Sequence, residues 1–367
     1  MFAENRKISL RQLQVLLLLD CFGTVVLFLP AELAQMSGRG CWIAALIGGL
    51  VFSAVSLLLT KVGSKMPEGT AVEWFRFCFG SFLGNAALFG LALHLLFSGL
   101  VELRLFSEVV CRAMLPNTPV WVISLVILAV SGALAAQGTE CRGRAAEILF
   151  FVVAIPLVII LLAVSVSSEY GRVLPLELPS FDGIRNGIAA MSVVFQGLLF
   201  LYFIFPDLRK PAMAKGAVVK SAFVTTLVVT AIVFLCLAVY GENVLAEKLL
   251  PALQMMERVS FTGVFLTRQD VLLLWFWMAS VCIFLSGILF YSSLLEVRMW
   301  KQPETKRKTW LWICLMAVFA ASFLPDDLSA AYYLRMRLAP WFNLVYLVIL
   351  PILLLLIAKR KGGERNA

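Results

Sequence analysis

Charged residues are scarce in this sequence: Asp, Glu, Lys and Arg together form 14% of its 367 residues. An ordinary soluble domain is about a quarter charged and about half apolar. Here hydrophobic residues reach 61%, and the mean hydropathy is +0.94. Because a water-soluble fold of this size cannot bury so much apolar surface, the composition excludes a soluble globular protein.

Residues that typically carry catalysis or bind metals are also few. The chain has one histidine, His94, and its eight cysteines are scattered, with no CxxC pair. Neither HExxH nor GxSxG occurs in the sequence. We therefore expect no enzyme activity, no metal site and no cofactor. We interpret the cysteines as small packing residues rather than as a disulfide framework.

Long apolar runs dominate what is present. A helix needs roughly 20 mostly apolar residues to cross a bilayer. The first run is longer than the apolar core of a signal peptide, so we expect it to be a retained helix. The runs predict an all-α membrane protein with about ten transmembrane helices, in a single integral membrane domain, 1–367. The predicted spans are 13–36, 41–61, 82–106, 118–136, 146–167, 186–206, 218–240, 270–296, 309–325 and 338–358.

The basic residues favour one orientation in the membrane, because cytoplasmic loops are enriched in Lys and Arg. With a cytoplasmic N-terminus, about two thirds of the 31 Lys and Arg residues fall in cytoplasmic segments, Arg142 and Arg144 among them. The asymmetry predicts that both termini are cytoplasmic. The same asymmetry explains the net charge of +9, so we expect no nucleic-acid partner. We expect the protein to contact membrane lipid.

Two connecting segments are more apolar than simple loops. Segment 68–84 mixes aromatic and charged residues, which predicts an interfacial helix along the cytoplasmic leaflet. Segment 241–270 has apolar residues at near-helical spacing, which predicts one or two short helices over the outer mouth. A lid and plain loop packing explain the second segment equally well.

Ten spans divide into two halves of five, 13–167 and 186–358. An odd number of spans in each half gives the halves opposite orientations, the inverted-repeat plan of many secondary transporters. The first and sixth spans then correspond. Each carries a glycine near mid-span followed by a proline, Gly23 with Pro30 and Gly197 with Pro206.

These glycines predict breaks in the two helices. Glycine weakens a helix by about 1 kcal/mol relative to alanine, and Thr24 and Gln196 offer polar atoms to released backbone groups. Free N–H and C=O groups at a break can bind the carboxylate and the ammonium of a small zwitterion. Close helix packing remains the alternative explanation for either glycine.

Other polar residues lie inside predicted spans. An ionisable group at such depth is a functional candidate, which singles out His94 and Glu102 in the third span. Glu102 and Arg104 are near the predicted outer end, where they can also pair or reach the interface. The small and polar residues of 286–293 form either a helix-packing seam or part of a ligand site.

Several local sequences, in order along nearly the whole chain, resemble the spore germination permease family, the B subunits of nutrient germinant receptors. They are KISLRQLQVLLLLDCFGTVVLFLP from Lys7, TPV at 118–120, a G-x-x-x-x-x-R pattern at 138–144, FPDLRKP from Phe205, FLTRQD at 265–270 and LPDDLS around Pro325.

The resemblance implies the amino acid/polyamine/organocation transporter superfamily, with its ten-helix inverted-repeat fold. It implies a subunit that senses nutrients, typically amino acids, in the spore inner membrane, together with an A subunit and a lipoprotein C subunit. An ion-coupled amino-acid transporter on the same fold is the alternative. Matching the positions of this chain to those of the family implies most of the ligand-binding residues, and Glu102 is included because it is an acidic residue inside a predicted span. The predicted ligand-binding residues are Gly23, Thr24, Ser98, Glu102, Phe195, Gln196, Gly197, Gly287 and Tyr291.

Overall fold

The computed structural model describes residues 7–23, 25–65, 69–257 and 269–364. These residues form α-helices, short 3₁₀ helices, one π-helical segment (Leu344–Ile349) and connecting loops, and none of them belongs to a named β-strand. The α-helices are α1 (Leu10–Cys21), α2 (Val25–Ser37), α3 (Cys41–Lys65), α4 (Ala71–Ala113), α5 (Val120–Gln137), α6 (Thr139–Ser167), α7 (Phe181–Val194), α8 (Leu201–Ile204), α9 (Ala214–Tyr240), α10 (Glu242–Glu247), α11 (Pro251–Glu257), α12 (Gln269–Met299), α13 (Arg307–Ala321), α14 (Leu328–Asn343) and α15 (Leu350–Glu364).

Eight helical stretches in the described ranges are long and apolar enough to cross a membrane. The prediction of an all-α membrane protein is therefore confirmed. The stretch Val25–Lys65 contains two α-helices, α2 and α3, which are separated by the 3₁₀ turn Gly38–Gly40. Helix α13 coincides with most of the predicted ninth span but has only 15 residues. The number ten and the division into two halves stay predictions.

The first helix is interrupted at its predicted glycine. Ser9 caps the start of α1, where its side chain accepts from the backbone N–H of Gln12 at 3.1 Å. The α-helix ends at Cys21, since Phe22 has φ −96° and ψ 59°, outside the helical region. Helix α2 begins at Val25. The break therefore lies between two helices of about equal length.

The sixth helix is irregular at its predicted glycine, but it remains helical. Helix α7 ends at Val194 and is followed by a 3₁₀ helix, Phe195–Phe200, which leads into α8. A 3₁₀ helix keeps internal backbone hydrogen bonds with a tighter repeat. The sequence predicts an unwound stretch here, and the structure has a narrowed helix instead.

The most enclosed stretches are 181–207 and 277–299, where 89% of the most apolar 18 residues are buried. In 139–167, only 22% of the most apolar 18 residues are buried. Helix α12 packs against α1, α4, α5, α6 and α13, and the 3₁₀ helix after α7 packs against α1. The interrupted first helix therefore lies against the two most enclosed parts of the bundle.

The two apolar connecting segments are partly helical. A kink at Gly80 separates the first turns of α4 from the rest of the helix. The φ of Gly80 is 77°, a backbone conformation that favours glycine. Trp74 and Phe75, just before the kink, are buried against the protein. Helices α10 and α11 form in the described part of 241–270, as predicted, while 258–268 lies outside the described residues.

Candidate functional site

The carbonyl groups released where α1 ends are bound by side chains of α12. Ser280 Oγ lies 2.6 Å from the Leu19 carbonyl and 2.9 Å from the Phe22 carbonyl. Trp277 donates from Nε1 to the Gly23 carbonyl at 3.2 Å. The next residue, Thr24, which the sequence predicts to bind ligand, lies outside the described residues. Helix α12 thus stabilises the open end of α1, which would be costly in an apolar setting without hydrogen-bond partners.

A buried ion pair faces this interruption. Glu102 of α4 and Arg335 of α14 bond through Oε2 and Nη1, and their side chains are 0% and 3% exposed. A Cβ built on Gly23 would lie 3.1 Å from Glu102 Oε1, so the carboxylate borders the break directly. Arg335 Nε has no hydrogen-bond partner among the described residues.

The sequence leaves open whether Glu102 pairs with Arg104. The structure separates them, because Arg104 pairs with Glu108 at 3.0 Å and donates to the Asp326 carbonyl at 2.8 Å. The partner of Glu102 is instead a basic residue from a different helix, Arg335.

A separate group of buried polar side chains links three helices, α4, α14 and the 3₁₀ helix Phe195–Phe200. Gln196 Nε2 donates to Ser98 Oγ and lies 3.3 Å from His94 Nε2. His94 Nε2 is 2.9 Å from Asn343 Oδ1, and Asn343 donates from Nδ2 to the Ser192 carbonyl at 3.0 Å. Gln196 Oε1 and His94 Nδ1 have no partner among the described residues. Both atoms are buried, and both can accept a hydrogen bond.

A second buried ion pair lies against the 3₁₀ helix, next to Gly197 and Phe200. Arg142 Nη2 is 3.2 Å from Asp20 Oδ1, and the two side chains are 0% and 2% exposed. Arg142 also donates from Nε to Ser286 Oγ at 2.9 Å and from Nη2 to the Ile283 carbonyl at 3.2 Å. The expectation that Arg142 belongs to a cytoplasmic loop is wrong, because it lies in the first turn of α6 with a fully buried guanidinium.

Aromatic rings and glycines enclose this second pair. The Arg142 guanidinium carbon is 5.5 Å from the Phe200 ring centroid and 5.3 Å from that of Tyr291, within cation–π range. A Cβ on Gly197 would lie 2.8 Å from backbone atoms of Asp20, and one on Gly287 would lie 2.5 Å from Arg142 Nη2. Both glycines therefore permit close packing around the charges.

The predicted site residues that the structure describes fall into four places. Gly23 and Glu102 meet at the interruption, and Ser98 and Gln196 meet next to it. Gly197, Gly287 and Tyr291 surround the Asp20–Arg142 pair. Phe195 stacks on Phe52, with ring centroids 5.7 Å apart, in apolar packing against α3.

Several polar residues at these places are absent from the sequence-based prediction. Asp20 lies inside the first predicted span, and Asn343 lies inside the last. A polar or ionisable residue at such depth is a signal that marks both as candidates. Arg142 and Arg335 fall in predicted connecting segments, so their burial has no comparable signal in the sequence.

Comparison with known proteins gives a consistent result over most of the chain. Residues 7–331 match the family model described as spore germination protein. Spore germination protein YndE of Bacillus subtilis (strain 168) is 25% identical over 369 residues, which cover 100% of both chains. Spore germination protein B2 of the same organism is 24% identical over 342 residues, 90% of each chain. Spore germination protein KB is 26% identical over 211 residues, 56% of this chain and 55% of that protein. The family model covers far more than half of the sequence, and the chain therefore belongs to the spore germination permease family.

Proposed function

We propose that this protein is the nutrient-sensing subunit of a germinant receptor, and that it binds a small polar nutrient such as an amino acid within the membrane. One observation carries the proposal. The first helix is interrupted at Gly23, and the interruption borders a buried Glu102–Arg335 pair. An interrupted helix beside paired charges matches the way membrane proteins bind small charged solutes at mid-bilayer.

Unsatisfied buried atoms indicate the chemistry of the ligand. Arg335 Nε is a donor and Gln196 Oε1 is an acceptor, and His94 Nδ1 is an acceptor when His94 Nε2 donates to Asn343 Oδ1. A buried polar group left without a partner costs about 1–3 kcal/mol. A ligand that both accepts and donates hydrogen bonds would recover part of that cost at each atom. An amino acid, with a carboxylate and an ammonium group, meets this requirement.

The names of the relatives support a role in germination rather than in nutrition of a growing cell. All three are called spore germination proteins, and two carry the designations B2 and KB. We infer that this chain resides in the spore inner membrane with both termini cytoplasmic, and that it acts with A and C subunits. Ligand binding then shifts a conformational equilibrium that the partners detect. A shift from 1:99 to 99:1 requires about 5.5 kcal/mol of differential affinity for the favoured state.

Thermal unfolding of the full chain in lipid nanodiscs tests the proposal against a panel of amino acids. A ligand at 100 times its Kd stabilises the folded state by about 2.7 kcal/mol, which raises the unfolding midpoint. We expect at least one amino acid to raise the midpoint of the native protein, and Gly23→Val to abolish the rise. Gly171→Val is the matched control, since a Cβ at Gly171 meets no heavy atom within 4 Å. An equal rise in Gly23→Val and in the native protein would overturn the proposed site.

An ion-coupled amino-acid transporter is the second candidate, because an interrupted helix between enclosed helices is also the plan of many secondary transporters. Radiolabelled uptake into proteoliposomes separates the two functions. The sensing subunit alone should show no concentrative uptake under an imposed proton or sodium gradient. Robust concentrative uptake by the purified chain would favour the transporter.

A further inference from the structure

A groove of about 400 Å³ runs along the side of the bundle between α3 and α9. Helices α3 and α9 pack closely against each other, so the groove is a depression on the surface that the two helices share. Its walls combine apolar and basic residues, namely Leu57, Lys215, Gly216, Val219, Lys220 and Phe223. None of its lining residues belongs to the interruption in the first helix or to the two buried ion pairs, and the proposed function makes no use of it.

The groove is basic at one end and apolar at the other. Lys215 and Lys220 are exposed in the first two turns of α9, and neither forms an ion pair with an acidic side chain of the described residues. Phe223 lies one turn beyond Val219 and is 46% exposed. At 1.5 Å per residue, Phe223 lies about 12 Å from Lys215 and about 4.5 Å from Lys220 along the helix axis. The change from charge to apolar surface therefore occurs over the length of a lipid headgroup and the start of its acyl chains.

Gly216 keeps the basic end of the groove open. A Cβ built on this residue meets no heavy atom within 4 Å. The backbone at the start of α9 is thus accessible between the two lysines. The N-terminus of a helix carries a partial positive charge, which adds to that of the lysines in favouring an anion.

We propose that this groove binds one anionic glycerophospholipid, with its phosphate at Lys215 and Lys220 and an acyl chain along Leu57 and Phe223. A soluble anion would satisfy the lysines but leave the apolar half of the groove unused. Helices α3 and α9 both belong to membrane-crossing stretches, so the apolar half faces acyl chains. The basic end faces the headgroups of the leaflet at the start of α9, where each lysine raises affinity for an anionic surface about fivefold.

Native mass spectrometry of the full chain, released from mixed phosphatidylglycerol and phosphatidylcholine nanodiscs, measures retained lipid directly. The native protein should keep one phosphatidylglycerol in preference to phosphatidylcholine. Lys215→Gln and Lys220→Gln should each lower that occupancy about fivefold. Gly216→Leu should also lower it, because the new side chain fills the groove without meeting other atoms. The double variant Lys306→Gln/Lys308→Gln removes two exposed charges elsewhere and should keep the lipid.

Three results would contradict the proposed lipid site. Equal loss in the Lys306→Gln/Lys308→Gln control would show that general surface charge, not the groove, holds the lipid, and would overturn the proposal. Retention in Gly216→Leu would overturn it as well. Displacement of the lipid by millimolar glycerol phosphate would reveal a simple anion site. Thermal unfolding of every variant in phosphatidylcholine alone checks that the fold is unchanged.

Discussion

The first and sixth helices carry the same sequence feature, a mid-span glycine beside a polar residue, and the structure uses the two glycines differently. At Gly23 the α-helix stops, and the nearest foreign atoms are the carboxylate oxygens of Glu102. At Gly197 the helix only tightens to 3₁₀, and the nearest atoms belong to the backbone of Asp20. Gly23 therefore borders a polar side chain that can move, whereas Gly197 lets two helices approach closely.

The difference follows from where hydrogen-bond partners are available. At the end of α1, Trp277 and Ser280 bind the released carbonyls, so the helix can stop inside the bundle. The 3₁₀ helix at 195–200 keeps its backbone bonds internal, as an apolar environment requires. Four predictions test this contrast.

The largest effect is expected beside Gly197, at the Asp20–Arg142 pair. Arg142→Gln leaves a buried carboxylate without its partner, which costs about 3–5 kcal/mol of unfolding free energy. Denaturation in detergent micelles measures this loss. Arg144→Gln is the matched control, since the Arg144 side chain is 46% exposed and pairs with Glu140 near the surface. Equal stability of the two variants would contradict the burial of Arg142.

The next largest effect is expected at Gly197 itself. Gly197→Ala places a methyl group 2.8 Å from the backbone of Asp20, which cannot move independently of its helix. We expect a loss of about 1–3 kcal/mol, typical of overpacking. The same denaturation experiment measures it, and Gly216→Ala, in open space, should be close to neutral. A neutral Gly197→Ala would mean that the sixth helix has room to unwind.

A smaller loss is expected where α12 supports the interruption. The Trp277 and Phe22 ring centroids are 4.5 Å apart, and Trp277→Phe keeps most of this aromatic contact. The substitution removes the hydrogen bond from Trp277 Nε1 to the Gly23 carbonyl. The lost hydrogen bond should cost about 1 kcal/mol. Trp310→Phe, which removes a bond to Gln302 in an exposed setting, serves as the control. If both variants are equally stable, Trp277 does not hold the end of α1.

The smallest change in stability is expected for Gly23→Ala. Its methyl group would lie 3.1 Å from Glu102 Oε1, a side-chain atom that can rotate away. We expect a loss below about 1 kcal/mol in unfolding free energy, but a clear loss of ligand-induced stabilisation. The opposite pattern, a large loss of stability with an unchanged ligand response, would make Gly23 a packing residue like Gly197.

The sequence was sufficient for the fold class and for the interruption at Gly23. Long apolar runs have few explanations other than membrane helices, and glycine next to a polar residue weakens a helix locally. It was insufficient to predict the conformation at Gly197. A glycine that interrupts a helix and a glycine that allows close packing have the same sequence pattern, and only the position of the neighbouring helix distinguishes them. Gly197 packs against the backbone of Asp20, a residue from another part of the chain.

The charged pairs illustrate a second limit. Glu102 is detectable as an acidic residue inside a predicted span, but its partner Arg335 lies between two predicted spans. Arg142 likewise lies four residues before the predicted start of the fifth span, whereas α6 begins at Thr139 and carries it into the core. The apolar run thus places the start of this helix about two turns too late, and that error decides whether Arg142 is predicted to be buried.

The most direct test of the account is a cryo-EM structure of the full chain with the amino acid that gives the largest thermal stabilisation. We predict ligand density in contact with the Gly23 backbone, the Glu102 carboxylate and Gln196. Density for that ligand elsewhere, with the interruption at Gly23 unoccupied, would contradict the proposed binding site.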